Sequence, residues 1–215
     1  IVNVMNGEVP LEQAVIRDHH CDSLYQLPGS QTETKDVLKL KKIAQMIDQA
    51  RHKFDYIICD SPAGIEHGAR MAMYFADDAV LVATPELPSI RDTDRVIGLI
   101  MEKSFRAMHG LNPVRTHLLI NRYNSDNVDD AVTPESIVER LNVPLLGVIP
   151  EDQGHVSRAA NRGEPVILDS TSSAGRAYID TVSRYLDEDI PIRLGRNRKR
   201  GWRDFFRPGR RAGAG

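Results

Sequence analysis

The sequence predicts an α/β fold whose mainly parallel sheet is flanked by helices. Three observations carry that expectation. Four short runs rich in β-branched residues and leucine alternate along the chain with helical patterns, no internal repeat interrupts the alternation, and the 215 residues, 41% hydrophobic and 27% charged, suffice for a sizeable core. In such folds the ligand site lies where parallel strands end at their carboxyl edge.

The elements follow in order. A helical pattern over residues 10–17 precedes a weak strand candidate at 23–27, stopped by the turn dipeptide Pro28-Gly29. A long helical pattern covers 34–52. The run Tyr56–Asp60 (YIICD) then reads as a strand buried on both faces, as do Asp78–Thr84, His117–Asn121 and Leu145–Ile149. Helical patterns fill 68–75, 92–108, 134–141 and 171–186. Pro134 after Thr133, with Glu135 close behind, is a helix start, because proline suits the first turn and threonine caps it. The body, residues 1–188, reads as one domain, and residues 189–215 as a basic tail.

Charge is divided unevenly between these parts. From Pro191 to Gly215 nine basic residues face one acid, so the tail carries +8 and residues 1–190 carry −10. The tail therefore wants an anionic partner, while the acidic body argues against wrapping by nucleic acid. No apolar run reaches the ~18 residues of a membrane-spanning helix. Cys21 and Cys59 make no disulfide framework, and Cys59 sits in an apolar run that suggests a reduced, buried thiol; both point to the cytoplasm. His19-His20-Cys21-Asp22 is the one tight cluster of metal-binding types, but four neighbours in a loop rarely converge on one ion, so no zinc site is assigned. The chain opens on Ile1, and its first residues read as the middle of a domain, so a fragment or processed chain is expected.

The chemistry is concentrated in residues 54–66, FDYIICDSPAGIE. A buried strand ending in Asp60 puts a carboxylate at the ligand edge, and the turn containing Gly64 can aim backbone N–H groups at an anion. Such an aspartate either holds Mg²⁺ through water in a phosphoryl-transfer site or simply caps the next turn. The pattern alone leaves both open.

The stretch from Cys59 to Ile100, beginning CDSPAGIE, resembles the Walker B and switch II region of the ParA/MinD family of deviant Walker A ATPases. HLLINRYN at 117–124, LLGVIPED at 145–152, NRGEPVILD at 161–169 and AGRAYIDTVSRYL at 174–186 follow in the family's order, so the resemblance spans nearly the whole chain. It implies a P-loop NTPase type of fold with ATP and Mg²⁺ as cofactors. The departure is equally plain: the family's KGGxGKT phosphate loop occurs nowhere in the 215 residues, and the first strands of the fold are missing with it. The chain alone is therefore expected to bind triphosphate weakly and to hydrolyse little.

By the resemblance, Asp60 is the Walker B carboxylate that coordinates Mg²⁺ through water, and Gly64 is the switch II glycine near the γ-phosphate. Asn121 reads the adenine edge, with Arg122, Pro150, Glu151 and Asp152 lining the base pocket; from the residues alone these are equally ordinary loop and turn positions. The segment 88–95, PSIRDTDR, opens a helix with Ser89 as its N-cap and acids in its first turn. The resemblance makes Ser89, Arg91, Asp92 and Asp94 contacts for MinC and MinE.

The tail can be read without the family. Trp202, Phe205 and Phe206 fall on one helical face, with Lys199, Arg200, Arg203 and Arg207 around it, a pattern suited to an anionic bilayer surface. A solvated tail and nonspecific DNA contact are the rival readings. The family expectation is an ATPase that dimerises with ATP, attaches peripherally to the inner face of the cytoplasmic membrane and positions the division septum. The alternatives are a nucleotide-independent membrane and partner adaptor, or a ParA-type or flagellar-number relative.

Overall fold

A computed structural model describes residues 1–29, 40–62, 64, 67–124 and 132–192. The chain divides into two compact units, one formed by residues 1–76 and 100–113, the other by 77–99 and the remainder.

In the first unit, α1 (Val2–Met5) and α2 (Leu11–Ala14) pack on α3 (Leu40–Arg51), burying Val2, Met5, Leu11, Ile43 and Ala50. Polar ties reinforce them, from Lys42 Nζ to Asn6 Oδ1 at 2.6 Å and between Lys53 and Glu12. The helix expected over 10–17 stops at Ala14. Val15 is already extended, and the next two residues, β1 (Ile16–Arg17), pair antiparallel with β2 (Tyr25–Gln26), a pairing that favours β-branched Ile16 over another helical turn. Further along lie α4 (His67–Tyr74) and α6 (Phe105–Met108); Phe105 brings its ring within 6.0 Å of Tyr74 and 6.3 Å of Phe75.

The run Tyr56–Asp60 departs most from expectation. It forms no hydrogen-bonded ladder among the described residues, and Tyr56 and Ile58 stand 63% and 87% exposed. A strand exists only through its neighbours, and an apolar run without a pairing strand forms no ladder. Cys59 is accordingly exposed rather than buried, although the chain around its sulfur still pushes the thiol pKa up.

The second unit holds the parallel sheet, β3 (Asp78–Ala83), β4 (Arg115–Tyr123) and β5 (Leu145–Pro150), in that spatial order. Its central strand buries Leu118, Leu119 and Ile120. β3 was expected to be buried on both faces; instead Leu81 and Ala83 point inward while Val80 and Val82 on the opposite face are open, so it alternates like a half-covered strand. Between the strands run α5 (Leu87–Lys103) and α7 (Pro134–Leu141). α7 starts where predicted: Thr133 Oγ1 accepts from the Ser136 amide at 3.3 Å, and Asn142 ends the helix in the left-handed region.

Two helices differ from their predicted outlines. The pattern over 92–108 splits, because Ser104 Oγ accepts from the Ala107 amide and starts α6 afresh. α5 begins at Leu87, with Pro88 in its first turn, so Ser89 is inside the helix rather than its N-cap; its hydroxyl accepts from the Thr84 amide at 3.0 Å instead. α8 (Gln153–Arg162) and a 3-10 turn (Val166–Leu168) were not predicted; α8 buries no residue and so lacks an apolar stripe to announce it. α9 (Ser173–Tyr185) then packs over β5, with Leu119, Ile149 and Ala174 as the shared core against Ala177 and Tyr178.

Candidate functional site

Parallel strands of one sheet end together, so β4 and β5 bring residues 121–124 and 150–152 to the same carboxyl edge. Tyr123 pairs with Pro150, and the Glu151 amide donates to the Tyr123 carbonyl at 2.9 Å. The ladder slips between Ile120 and Tyr123, where Arg122 adopts φ 57°, a left-handed conformation uncommon for a residue with a Cβ. That kink exposes Arg122 and leaves Asn121 half-buried beneath it. Asn121 Oδ1 accepts from the Arg122 amide at 2.9 Å and from the Tyr178 hydroxyl of α9 at 3.5 Å.

Glu151 is held at both oxygens, Oε2 accepting from Asn124 Nδ2 and Oε1 from Gln153 Nε2, each at 3.1 Å. Asp152 is held more firmly. Its Oδ2 accepts from the Ser172 hydroxyl at 2.8 Å, the Ser173 amide at 2.9 Å, the Ser173 hydroxyl at 3.1 Å and the Ala174 amide at 3.3 Å, while Oδ1 meets His155 Nδ1 at 2.6 Å. One carboxylate thus caps the start of α9 from a distance and complements its dipole. Burial opposes its ionisation, but the donors from His155, Ser172, Ala174 and Ser173 outweigh burial and hold Asp152 far below the usual carboxylate range.

Of the residues expected in the base pocket, the structure therefore brings Asn121, Arg122, Pro150, Glu151 and Asp152 to one sheet edge. Tyr178, His155, Ser172 and Ser173, which sequence reasoning missed, organise them. The serine pair at the start of α9 is a visible capping signal, but nothing local ties it to Asp152 twenty residues earlier.

Asp60 and Gly64 belong to the other unit. Both are exposed, and Gly64 takes φ 90°, which glycine adopts without strain. An exposed carboxylate followed by a left-handed glycine suits a hydrated divalent cation beside a phosphate-sensing turn. Ser89 is half-buried, and Arg91, Asp92 and Asp94 lie on the exposed side of α5, opposite the buried Ile90, Thr93 and Ile97; Asp92 pairs with Arg95 at 3.4 Å. The aromatic and basic residues expected at the membrane, from Lys199 to Arg207, lie outside the described residues. Among the described residues no helix is long and apolar enough to cross a membrane.

Comparison with known proteins decides the relationship. No protein-family model matches the chain. The septum site-determining protein MinD of Escherichia coli K12 is 48% identical over 204 residues, covering 94% of this chain and 75% of that protein. The chain belongs to the MinD family. The MinD of Neisseria meningitidis serogroup B is 45% identical over 199 residues, covering 90% of this chain and 73% of its own length. Among solved structures, MinD in the Aquifex aeolicus MinC:MinD complex superposes with a TM-score of 0.76 at 36% identity, covering 90% of this chain and 75% of the other. MinD of Pyrococcus horikoshii, solved with Mg-ADP, gives 0.70 at 27% identity, covering 88% and 76%. These neighbours bear out the α/β fold of the ParA/MinD P-loop type.

Proposed function

We propose that this chain supplies the Walker B, base-binding and partner-binding parts of a MinD ATPase that sets the position of the division septum. The observation that carries the proposal is the 48% identity to a septum site-determining MinD across 94% of the chain, with the candidate nucleotide residues at the sheet's carboxyl edge and on the CDSPAGIE run.

In this reading ATP·Mg²⁺ supplies the transferable γ-phosphate and the charge that assembles a dimer. Asp60 holds the metal's water shell, Gly64 presents its amide toward the γ-phosphate, and Asn121 contacts the base. Glu151 and Asp152 shape the loop, since their oxygens are occupied by Asn124, Gln153, His155 and the serines of α9. The lysine-bearing KGGxGKT loop that would cradle the phosphates is not among the 215 residues. Turnover by these residues alone is therefore expected to be slight.

The exposed acids of α5 offer a surface to MinC and MinE. Asp92 and Asp94 can be approached without disturbing the core beneath Ile90 and Ile97. The basic aromatic tail binds anionic lipid on the cytoplasmic face. One short amphipathic segment binds reversibly, so two tails in a dimer multiply the affinity and make attachment depend on ATP.

The test is the intact mass and N-terminal sequence of the native protein, with the coding region read upstream of Ile1. A strand and a KGGxGKT-like loop before Ile1, with Mg²⁺-dependent turnover lost in Asp60→Ala, is the expected result. A native chain that starts at Ile1 and binds vesicles equally with and without ATP overturns catalysis in favour of a nucleotide-independent adaptor.

A further inference from the structure

Resting on the membrane reading of the tail, we infer that the tail has a second seat on its own chain: Trp202, Phe205 and Phe206 dock on an apolar step formed by α9 and the 3-10 turn, so that lipid must displace them. The step is open apolar surface on the side of α9 turned away from the sheet. Ile179, Val182 and Leu186 are 51%, 57% and 50% exposed, and at spacings of three and four residues they share one stripe. Ala174, Ala177, Tyr178 and Thr181 occupy the other side of the helix, against the sheet. Gly175 lies four residues before Ile179 and so in line with the stripe. There the 3-10 turn presses on the helix, since a Cβ on Gly175 would stand 2.6 Å from the Val166 carbonyl oxygen. The turn continues the stripe, and its own Ile167 and Leu168 are 47% and 58% exposed. An apolar patch shared by two packed elements marks a site of contact.

Place, reach and charge choose the occupant. Arg184 donates to the carbonyl oxygens of Ile190 at 3.3 Å and Pro191 at 3.4 Å, so the chain leaves α9 tied to the helix's own last turn. Trp202 stands ten residues past Ile192, about 33 Å of extended chain, whereas the stripe from Ile179 to Leu186 is about 10 Å of helix. Asp187, Glu188 and Asp189 follow Leu186 and are all exposed, and the helix C-terminus adds its own negative end. This end of the step complements aromatic residues rimmed by Lys199, Arg200, Arg203 and Arg207. A tether this short gives the tail a high effective concentration at the step, so contacts too weak to hold a separate partner suffice.

Docking and lipid binding use the same aromatic residues and exclude each other. The chain's apparent affinity for lipid therefore falls in proportion to the fraction of tails left undocked. A docked tail holds the chain off the membrane until an anionic surface competes it away.

Trp202 is the chain's one tryptophan, so its fluorescence reports the tail directly. The experiment records emission and acrylamide quenching of the 215-residue chain without lipid, then cosedimentation with phosphatidylglycerol vesicles. Emission to the blue of free N-acetyltryptophanamide and protection from acrylamide are expected, neither changing with chain concentration. Ile179→Glu with Val182→Glu should shift emission to the red, expose Trp202 to quencher and raise vesicle binding about 3- to 10-fold. Ile179→Ala with Val182→Ala, which adds no charge and is milder to the fold, should move each readout in the same direction. Trp202 as exposed as the free compound in the unaltered chain, or equally protected in both variants, overturns the inference. Protection that grows with concentration assigns the step to a second copy, and vesicle binding that falls in the alanine variant assigns it to lipid; either overturns docking of the tail. Vesicle binding by none of the three chains overturns the membrane reading and the competition with it, while protection of Trp202 that the glutamates abolish still upholds the docked tail.

Discussion

A Cβ placed on Gly147 would stand 2.1 Å from the Thr181 hydroxyl oxygen, so β5 and α9 meet with no room for a side chain between them. Thr181 is held there, its hydroxyl donating to the Ala177 carbonyl at 2.7 Å and accepting from Arg184 at 3.3 Å. Arg184 in turn donates to the Leu146 carbonyl at 2.6 Å, which fixes α9 along the strand. The helix that carries Tyr178 to Asn121 is thereby held on β5 by Thr181, three residues beyond Tyr178.

Gly147→Ala should therefore destabilise the chain by about 1–3 kcal/mol, as overpacking in a closed core does. Thermal unfolding of Gly147→Ala, Thr181→Ala and the double variant checks this. The double variant should recover part of the loss, because removing the threonine hydroxyl makes the space that alanine needs. Strict additivity of the two changes would count against a direct clash.

Asp152 predicts a pH dependence. Its folded pKa lies well below the value of about 3.9 for a free aspartate, so its contribution is complete above about pH 4 and fades on acidification toward the folded value. Asp152→Asn should cost about 2 kcal/mol near neutrality, in the range of charged hydrogen bonds, and distinctly less near pH 2, where the unfolded carboxyl is protonated and the folded one is only beginning to take up its proton. Urea unfolding of both proteins across this range measures the difference. A constant gap at all pH values would show that the amide loses shape rather than charge.

How far the site was legible follows from these contacts. β4, β5 and α7 could be read from the sequence because their signals are local: the apolar run at Leu118–Ile120, the LLGVIP run, and a Thr-Pro start with Glu135 close behind. Asn121 and Asp152 were found through the family resemblance, but their partners were not. Tyr178 and Ser172 lie 57 and 20 residues away, and such distances leave no periodic trace. Tyr56–Asp60 failed for the converse reason. Its composition is that of a buried strand, yet strand formation needs a partner ladder, and none is provided among the described residues.

Charge reversal at Asp92 and Asp94 should separate partner binding from folding. Both side chains are exposed, and the Asp92–Arg95 pair at 3.4 Å is a surface contact of the kind worth about 0–1 kcal/mol. Asp92→Lys with Asp94→Lys should leave the melting temperature within a few degrees while weakening MinC binding at least about 10-fold, roughly 1.4 kcal/mol. Surface plasmon resonance with immobilised MinC measures the second effect. Unchanged affinity in a folded double variant removes this helix from the proposed interface.

The tail gives the last prediction. Its charge of +8 attracts any polyanion, so charge alone does not separate a bilayer from DNA. The aromatic residues do separate them, because Trp202, Phe205 and Phe206 gain from leaving water only where an apolar phase accepts them. Burying one such side chain contributes about 1.5–3 kcal/mol. Trp202→Glu should therefore lower partition onto anionic vesicles about 10- to 100-fold, while removing anionic lipid should weaken the unaltered chain as well. Sedimentation with vesicles containing phosphatidylglycerol, beside vesicles of phosphatidylcholine alone, measures both. Binding that survives Trp202→Glu, prefers duplex DNA and collapses with salt would assign the tail to nucleic acid, since counterion release and not apolar burial would then be its driving force.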